Sequence, residues 1–142
     1  MSRVDVSSRR PQHRINMKTF EDLRAFQRAV EFMVDVYAAT KLFPKNEMYG
    51  LTSQMRRAAC SVVSNIAEGQ GRLTYGEWRQ MLSHSRGSLY QVQAQIIAAT
   101  RLGLLSTPEA ESLKRSGTAV GRELAGLIVW VTKREKHSKT RG

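Results

Sequence analysis

The sequence predicts an all-α protein, an antiparallel up-down-up-down four-helix bundle, on three observations. Apolar residues recur at three- and four-residue intervals through four long segments between residues 19 and 133. Capping residues and glycines punctuate those segments, and no stretch alternates as a half-buried strand does. The connections are short, which makes neighbouring helices antiparallel. A chain of 142 residues is long enough to bury one core without disulfides or metals.

The first helix is expected to begin at Thr19, whose hydroxyl caps it, with Glu21 and Asp22 at the positive end of its dipole. It runs to about Thr40 and stops before Phe43-Pro44. Two apolar stripes lie on it: Leu23, Phe26, Val30, Val34 and Tyr37, then Ala25, Ala29, Phe32, Val36 and Ala39. Together they cover roughly 200° of the helix, where a surface helix needs ~100°. So wide an arc implies burial against two surfaces, the bundle interior and a neighbouring subunit.

A connection, FPKNEMYG, leads to the second helix, Leu51 to Gly69, where glycine is expected to supply the left-handed residue that stops it. The third helix opens on a capping box, Thr74 with Glu77, and closes at Gly103. Its core stripe is Trp78, Met81, Leu82, Leu89, Val92, Ile96 and Ala99. The fourth starts at Thr107-Pro108-Glu109, a cap followed by proline at the first helical position. Its apolar repeat, Leu113, Val120, Leu124, Leu127, Ile128 and Val131, ends where a basic segment begins. The chain thus divides into a basic tail (1–18), a bundle (19–133) and a second basic tail (134–142), with both tails expected to be disordered. Met17, directly before the first cap, is an alternative translation start.

The net charge of +11 is unevenly placed. Five cations stand against Asp5 in residues 1–18, and five against Glu135 in residues 133–142, a net of +4 at each end. Basic ends on a mildly basic body point to a polyanionic partner. The single Cys60 has no partner for an internal bridge and reads as a small core hydrophobe in a reducing compartment. No apolar run approaches the ~20 residues of a membrane span. The first residues lack the apolar stretch of a secretory signal, so the expected location is cytoplasmic.

Catalytic chemistry is not expected. His13, His84 and His137 have no metal-ligand spacing to another donor, and the Glu-x-x-His pairs of di-iron bundles do not occur. Gly69 and Gly71 make no phosphate loop, since neither the GK[ST] pattern nor a preceding strand accompanies them. A Ser61–His84–Glu68 triad can be drawn, but without a nucleophile elbow or an oxyanion hole. No cofactor is implied.

What distinguishes the second helix is a polar stripe, Gln54, Arg57, Ser61, Ser64/Asn65 and Glu68, beside its apolar face. One reading is an internal network in which Gln54, Ser61, Asn65 and Glu68 pair with one another or with Ser88 and Arg86, fixing helix register. The other is a basic groove or ring in which Arg56, Arg57 and Arg72, with Arg79 and Arg86, hold phosphate in their forked donors. Tyr49, Tyr75 and Trp78 lie near these arginines as stacking surfaces for unpaired bases.

Three segments, FEDLRAFQRAVEFMVDVY, FPKNEMYGLTSQMRRAACSVVSNIAEGQGR and RGSLYQVQAQIIAATRLGLL, carry a resemblance. They resemble the four-helix bundle family encoded in intervening sequences of bacterial 23S rRNA genes, whose members are sometimes labelled ribosomal proteins. The most specific block is Phe43-Pro44, Glu47, Leu51, Gln54, Arg56-Arg57-Ala58, Ser61 and Asn65-Ile66-Ala67-Glu68-Gly69, followed by Gly87-Ser88-Leu89. Gln91 departs from it, standing where the family usually has Glu, so no charge pairing carries over from that position. The resemblance implies a homopentameric ring without known enzymatic activity. It extends to the accessory variability protein of diversity-generating retroelements, which binds reverse transcriptase and nucleic acid through a basic surface. The function expected is therefore nucleic-acid binding, structured RNA first, by an oligomeric bundle. The alternative is a protein-interaction scaffold or accessory factor for a reverse transcriptase.

Overall fold

The computed structural model describes residues 19–141. Four helices account for most of them: α1 Arg24–Thr40, α2 Leu51–Gln70, α3 Tyr75–Arg101 and α4 Thr107–Arg141. One-turn 3-10 segments precede α1 (Phe20–Asp22) and α2 (Lys45–Glu47), and no strand forms among the described residues. Sequential helices pack side by side and α4 closes on α1, while the diagonal pairs do not approach. This is the arrangement of a four-helix bundle. The expected tail 1–18 and the Met17 start lie outside the described residues.

The core is continuous along the bundle. Phe32, Met55, Ile66, Leu82, Leu89, Ile96, Val120, Leu124 and Val131 are all fully buried. α2 and α3 come close because small residues line their contact. Gly69 has no room for a side chain: a Cβ there would lie 2.8 Å from Cδ1 of Trp78. Ser85, fully buried, donates to the Val62 carbonyl at 2.8 Å and so satisfies its hydroxyl across the same contact. Of the two stripes on α1, Ala25, Ala29, Phe32 and Val36 are buried, whereas Val34 and Tyr37 are 55% and 40% exposed.

Three boundaries differ from the sequence reading, each for a local reason. Thr19 does cap, accepting from the Glu21 amide at 3.1 Å, but the segment it caps is the 3-10 turn. Leu23 is extended (φ −75°, ψ 128°) and breaks the helix; the break lets its side chain enter the core. At the end of α2 neither Gly69 nor Gly71 is left-handed; Gly69 serves the approach of Trp78 instead. α3 ends as expected, with Gly103 at φ 78°. The cap of α4 is Ser106, one residue earlier than read. Its Oγ accepts from the Glu109 amide (3.2 Å), and the Glu109 carboxylate accepts from the Ser106 amide (2.9 Å).

The largest correction concerns residues 134–142, read as a disordered tail. α4 continues through them to Arg141. One tertiary contact holds this extension, Arg79 of α3 gripping Glu135, and within α4 the Arg134 guanidinium lies 4.3 Å over the Trp130 ring.

Candidate nucleic-acid interface

The flank of α2 that faces α3 carries the polar stripe. Ser61 and Ser88 share a hydroxyl–hydroxyl hydrogen bond of 2.8 Å, and Asn65 donates to both the hydroxyl and the carbonyl of Ser61, each at 2.9 Å. These three residues form the expected network. Gln54 and Glu68 stand outside it: Gln54 is exposed, and Glu68 lies 3.9 Å from Arg72, just past the end of the same helix. Arg86 is outside it too. Arg79, Arg86 and Gln93 repeat every seven residues, and Arg79 and Gln93 reach Glu135 and Gly117 of α4, which puts Arg86 on the α4 side of α3.

Beside the Ser61–Ser88 pair, α2 and α3 part into an open cleft of about 490 Å³. Tyr49, Ser53, Gln54, Arg57, Ala58 and Gln91 complete its lining. Arg57 is exposed and has no carboxylate within 4 Å among the described residues. Tyr49, at the mouth, is 96% exposed.

The opposite flank of α2 is closed. Arg56 donates from Nε to Thr40 Oγ1 (2.9 Å) and from Nη2 to the Tyr37 carbonyl (3.4 Å), and its guanidinium lies 4.6 Å over the Tyr37 ring. It therefore binds at the carbonyl end of α1 and faces the negative pole of that helix. Tyr37 also meets Cys60 Sγ at 3.5 Å, and Cys60 Sγ lies 3.6 Å from Met33 Sδ. The hydrogen bond with Cys60 pushes the Tyr37 phenol above its ordinary value, and the nearby Arg56 charge opposes that shift. Cys60 is half-buried in this groove and not in the core as read.

Arg79 is paired at the other end of the bundle. Its Nε donates to Glu135 Oε1 at 2.6 Å and its Nη2 to Oε2 at 3.5 Å; Lys139 Nζ lies 3.6 Å from the same carboxylate. The Arg79 hydrogen bond drives the Glu135 carboxyl below the usual carboxylate range, with Lys139 adding to it, and Glu135 raises Arg79 in turn. Tyr75, Trp78 and Trp130 form a ring cluster with centroids 5.8 to 6.5 Å apart, in which Trp78 is buried and Tyr75 is at the exposed edge. Arg72 is exposed at the α2–α3 turn, beside Met81 Sδ at 3.8 Å. The five arginines named from sequence thus line no single groove: Arg57 opens on the α2–α3 cleft, Arg86 on the far side of α3, and Arg56 and Arg79 bind their own chain.

Sequence reasoning also passed over the outer face of α4. Arg115 and Arg122 lie seven residues apart there, with Thr118, Ala119 and the Glu111–Lys114 pair, around a shallow hollow of about 430 Å³. The spacing is legible, but the apolar repeat of the same helix masks it. Ser61 has no base beside it, its partners being Ser88 and Asn65, so the triad drawn with His84 and Glu68 is not assembled. Among the described residues, no three His, Cys, Asp or Glu side chains are grouped to hold a metal ion, and no helix is long and apolar enough to cross a membrane.

Residues 21–126 match the family model described as 23S rRNA-intervening sequence protein. The chain belongs to that family. A crystal structure of a protein of unknown function from the S23 ribosomal protein family of Bacteroides thetaiotaomicron VPI-5482 is similar, with a TM-score of 0.65. The likeness covers 73% of this chain and 97% of that one at 17% identity, and is a likeness of fold. No curated protein matches. All five of the arginines named from sequence fall within the matched residues, whereas Glu135, which holds Arg79, follows them.

Proposed function

We propose that this protein is a non-enzymatic, homo-oligomeric helical bundle that binds RNA through phosphate contacts on its basic surface. The observation that carries the reading is the way its cations are paired. Arg57, Arg86, Arg101, Arg115, Arg122 and Lys133 are exposed, and none has a carboxylate within 4 Å among the described residues. An unpaired guanidinium keeps its whole fork of donors for phosphate. Arg57 and Arg86 are the contacts retained from the sequence reading, Arg72 adds to them at the turn, and Arg56 and Arg79 hold the scaffold.

Exposed Val34 and Tyr37 on α1 support a second copy packing on that flank. A ring of five, the assembly that the family resemblance implies, multiplies the +11 of one chain fivefold. Electrophoretic shift of a structured RNA at two salt concentrations tests the binding. Affinity is expected to fall steeply with salt, because each neutralised phosphate releases counterions. No binding near physiological ionic strength, or binding indifferent to salt, contradicts it. Light scattering tests the assembly, and a monomer contradicts that half. The rival reading, a scaffold for a reverse transcriptase, draws on Tyr90 and Ile97, exposed on α3. It predicts binding to that enzyme with no affinity for RNA alone.

A further inference from the structure

We infer that the cleft between α2 and α3 holds one unpaired nucleotide of the bound RNA, with its base on the Tyr49 ring and its phosphate on Arg57. The inference rests on the RNA-binding reading and names the part of the ligand that this site takes.

The lining has the chemistry of a nucleotide. Arg57 is its one charged residue, and no carboxylate lines the cleft to repel an anion or to neutralise the arginine. Gln54 and Gln91 present carboxamides that both donate and accept, and Ser53 adds a hydroxyl. Amides of this kind match the mixed donor and acceptor edge of a base. Tyr49 buries almost nothing against its own chain, so its ring is open to stacking. The floor is already satisfied by the Ser61–Ser88 hydrogen bond, and so presents a fixed surface. A volume of about 490 Å³ lies within the ~300–1,000 Å³ of small-ligand sites.

That the nucleotide is unpaired follows from RNA geometry. In an A-form duplex the bases are stacked inside and the deep groove is closed to side chains, so only a loop, bulge or end can place a base face against tyrosine. A carboxylate-bearing peptide would use Arg57 but leave the ring and both amides idle. An apolar ligand would meet mostly polar groups.

The test compares a hairpin with an unpaired loop and a blunt duplex of equal nucleotide count, by fluorescence anisotropy on the full chain. The wild type is expected to bind the hairpin more tightly. Tyr49→Ala should weaken hairpin binding roughly 10-fold, as the loss of one base–aromatic stack does, and leave duplex binding within about twofold. Tyr49→Phe, which keeps the ring, should retain the preference. Gln91→Glu, which sets a carboxylate in the cleft with Arg57, should weaken the hairpin as well. Tyr49 is so exposed that circular dichroism of its variants should match the wild type. Equal losses on both RNAs for Tyr49→Ala, or none on either, overturn the inference while leaving RNA binding intact. So does a free nucleoside monophosphate that saturates the cleft without competing with the hairpin. Failure of the wild type to bind either RNA overturns the RNA-binding reading itself.

Discussion

Arg56 and Arg57 are neighbours in the chain, about 100° apart around α2, and they meet opposite surroundings. Arg56 turns toward the point where α1 stops. There the Tyr37 carbonyl, which already accepts from the Lys41 amide, takes a further hydrogen bond from Arg56, and Arg56 also donates to the Thr40 hydroxyl. Arg57 turns toward the middle of α3, near Ser88 and Gln91, where the backbone carbonyls already accept within the helix. It finds nothing to bind in its own chain. The role of an arginine in this bundle is decided by whether the facing helix ends or continues beside it.

The contrast can be broken from the structural side first. Gly69→Ala forces a methyl group against Trp78 and Met81 of α3. It should cost about 1–3 kcal/mol in urea denaturation. An unchanged midpoint would mean that the two helices are not in close contact there. Arg56→Ala comes next: losing two hydrogen bonds to a helix end should cost about 1–2 kcal/mol by the same measurement, with RNA affinity unchanged. Arg57→Ala should do the reverse, leaving stability within about 0.5 kcal/mol, as surface changes do, while weakening RNA binding. A destabilised Arg57→Ala would erase the distinction.

Finer tests sharpen it. A double-mutant cycle of Ser61→Ala and Ser88→Ala should give a coupling of about 1 kcal/mol, the worth of one hydrogen bond. Additive losses would show that the two hydroxyls do not meet in solution. The smallest effect is expected from the exposed Arg79–Glu135 pair. Its carboxyl is lowered in the folded state, so its contribution is present above the unfolded value near 4.5 and is lost as the pH falls through the folded value. Glu135→Gln should therefore flatten the acid side of a thermal-unfolding profile, and an unchanged profile would count against the ion pair.

How much of this was legible follows from the range of the interactions involved. The four helices came from local periodicity, and so did the Thr74 and Gly103 boundaries. The Ser61–Asn65–Ser88 network followed from the polar stripe, since residues four apart on one helix share a face. Longer-range features were hidden. The basic composition of residues 134–142 reads as a solvated tail, and nothing local announces that Glu135 meets an arginine 56 positions earlier. The fates of Arg56 and Arg57 were equally hidden, because they depend on where α1 ends relative to α2. The cap of α4 is a different case: the Ser106-x-x-Glu109 spacing was available, but the adjacent Thr107-Pro108 pair mimics a start one residue later.

The most direct test of the account is the salt dependence of RNA binding, measured side by side for the wild type, Arg56→Ala and Arg57→Ala. The account predicts that Arg57→Ala shallows the log–log slope by roughly 0.7, the share of one phosphate contact on an unpaired strand, while Arg56→Ala runs parallel to the wild type. A slope unchanged by Arg57→Ala, or flattened by Arg56→Ala, would contradict it.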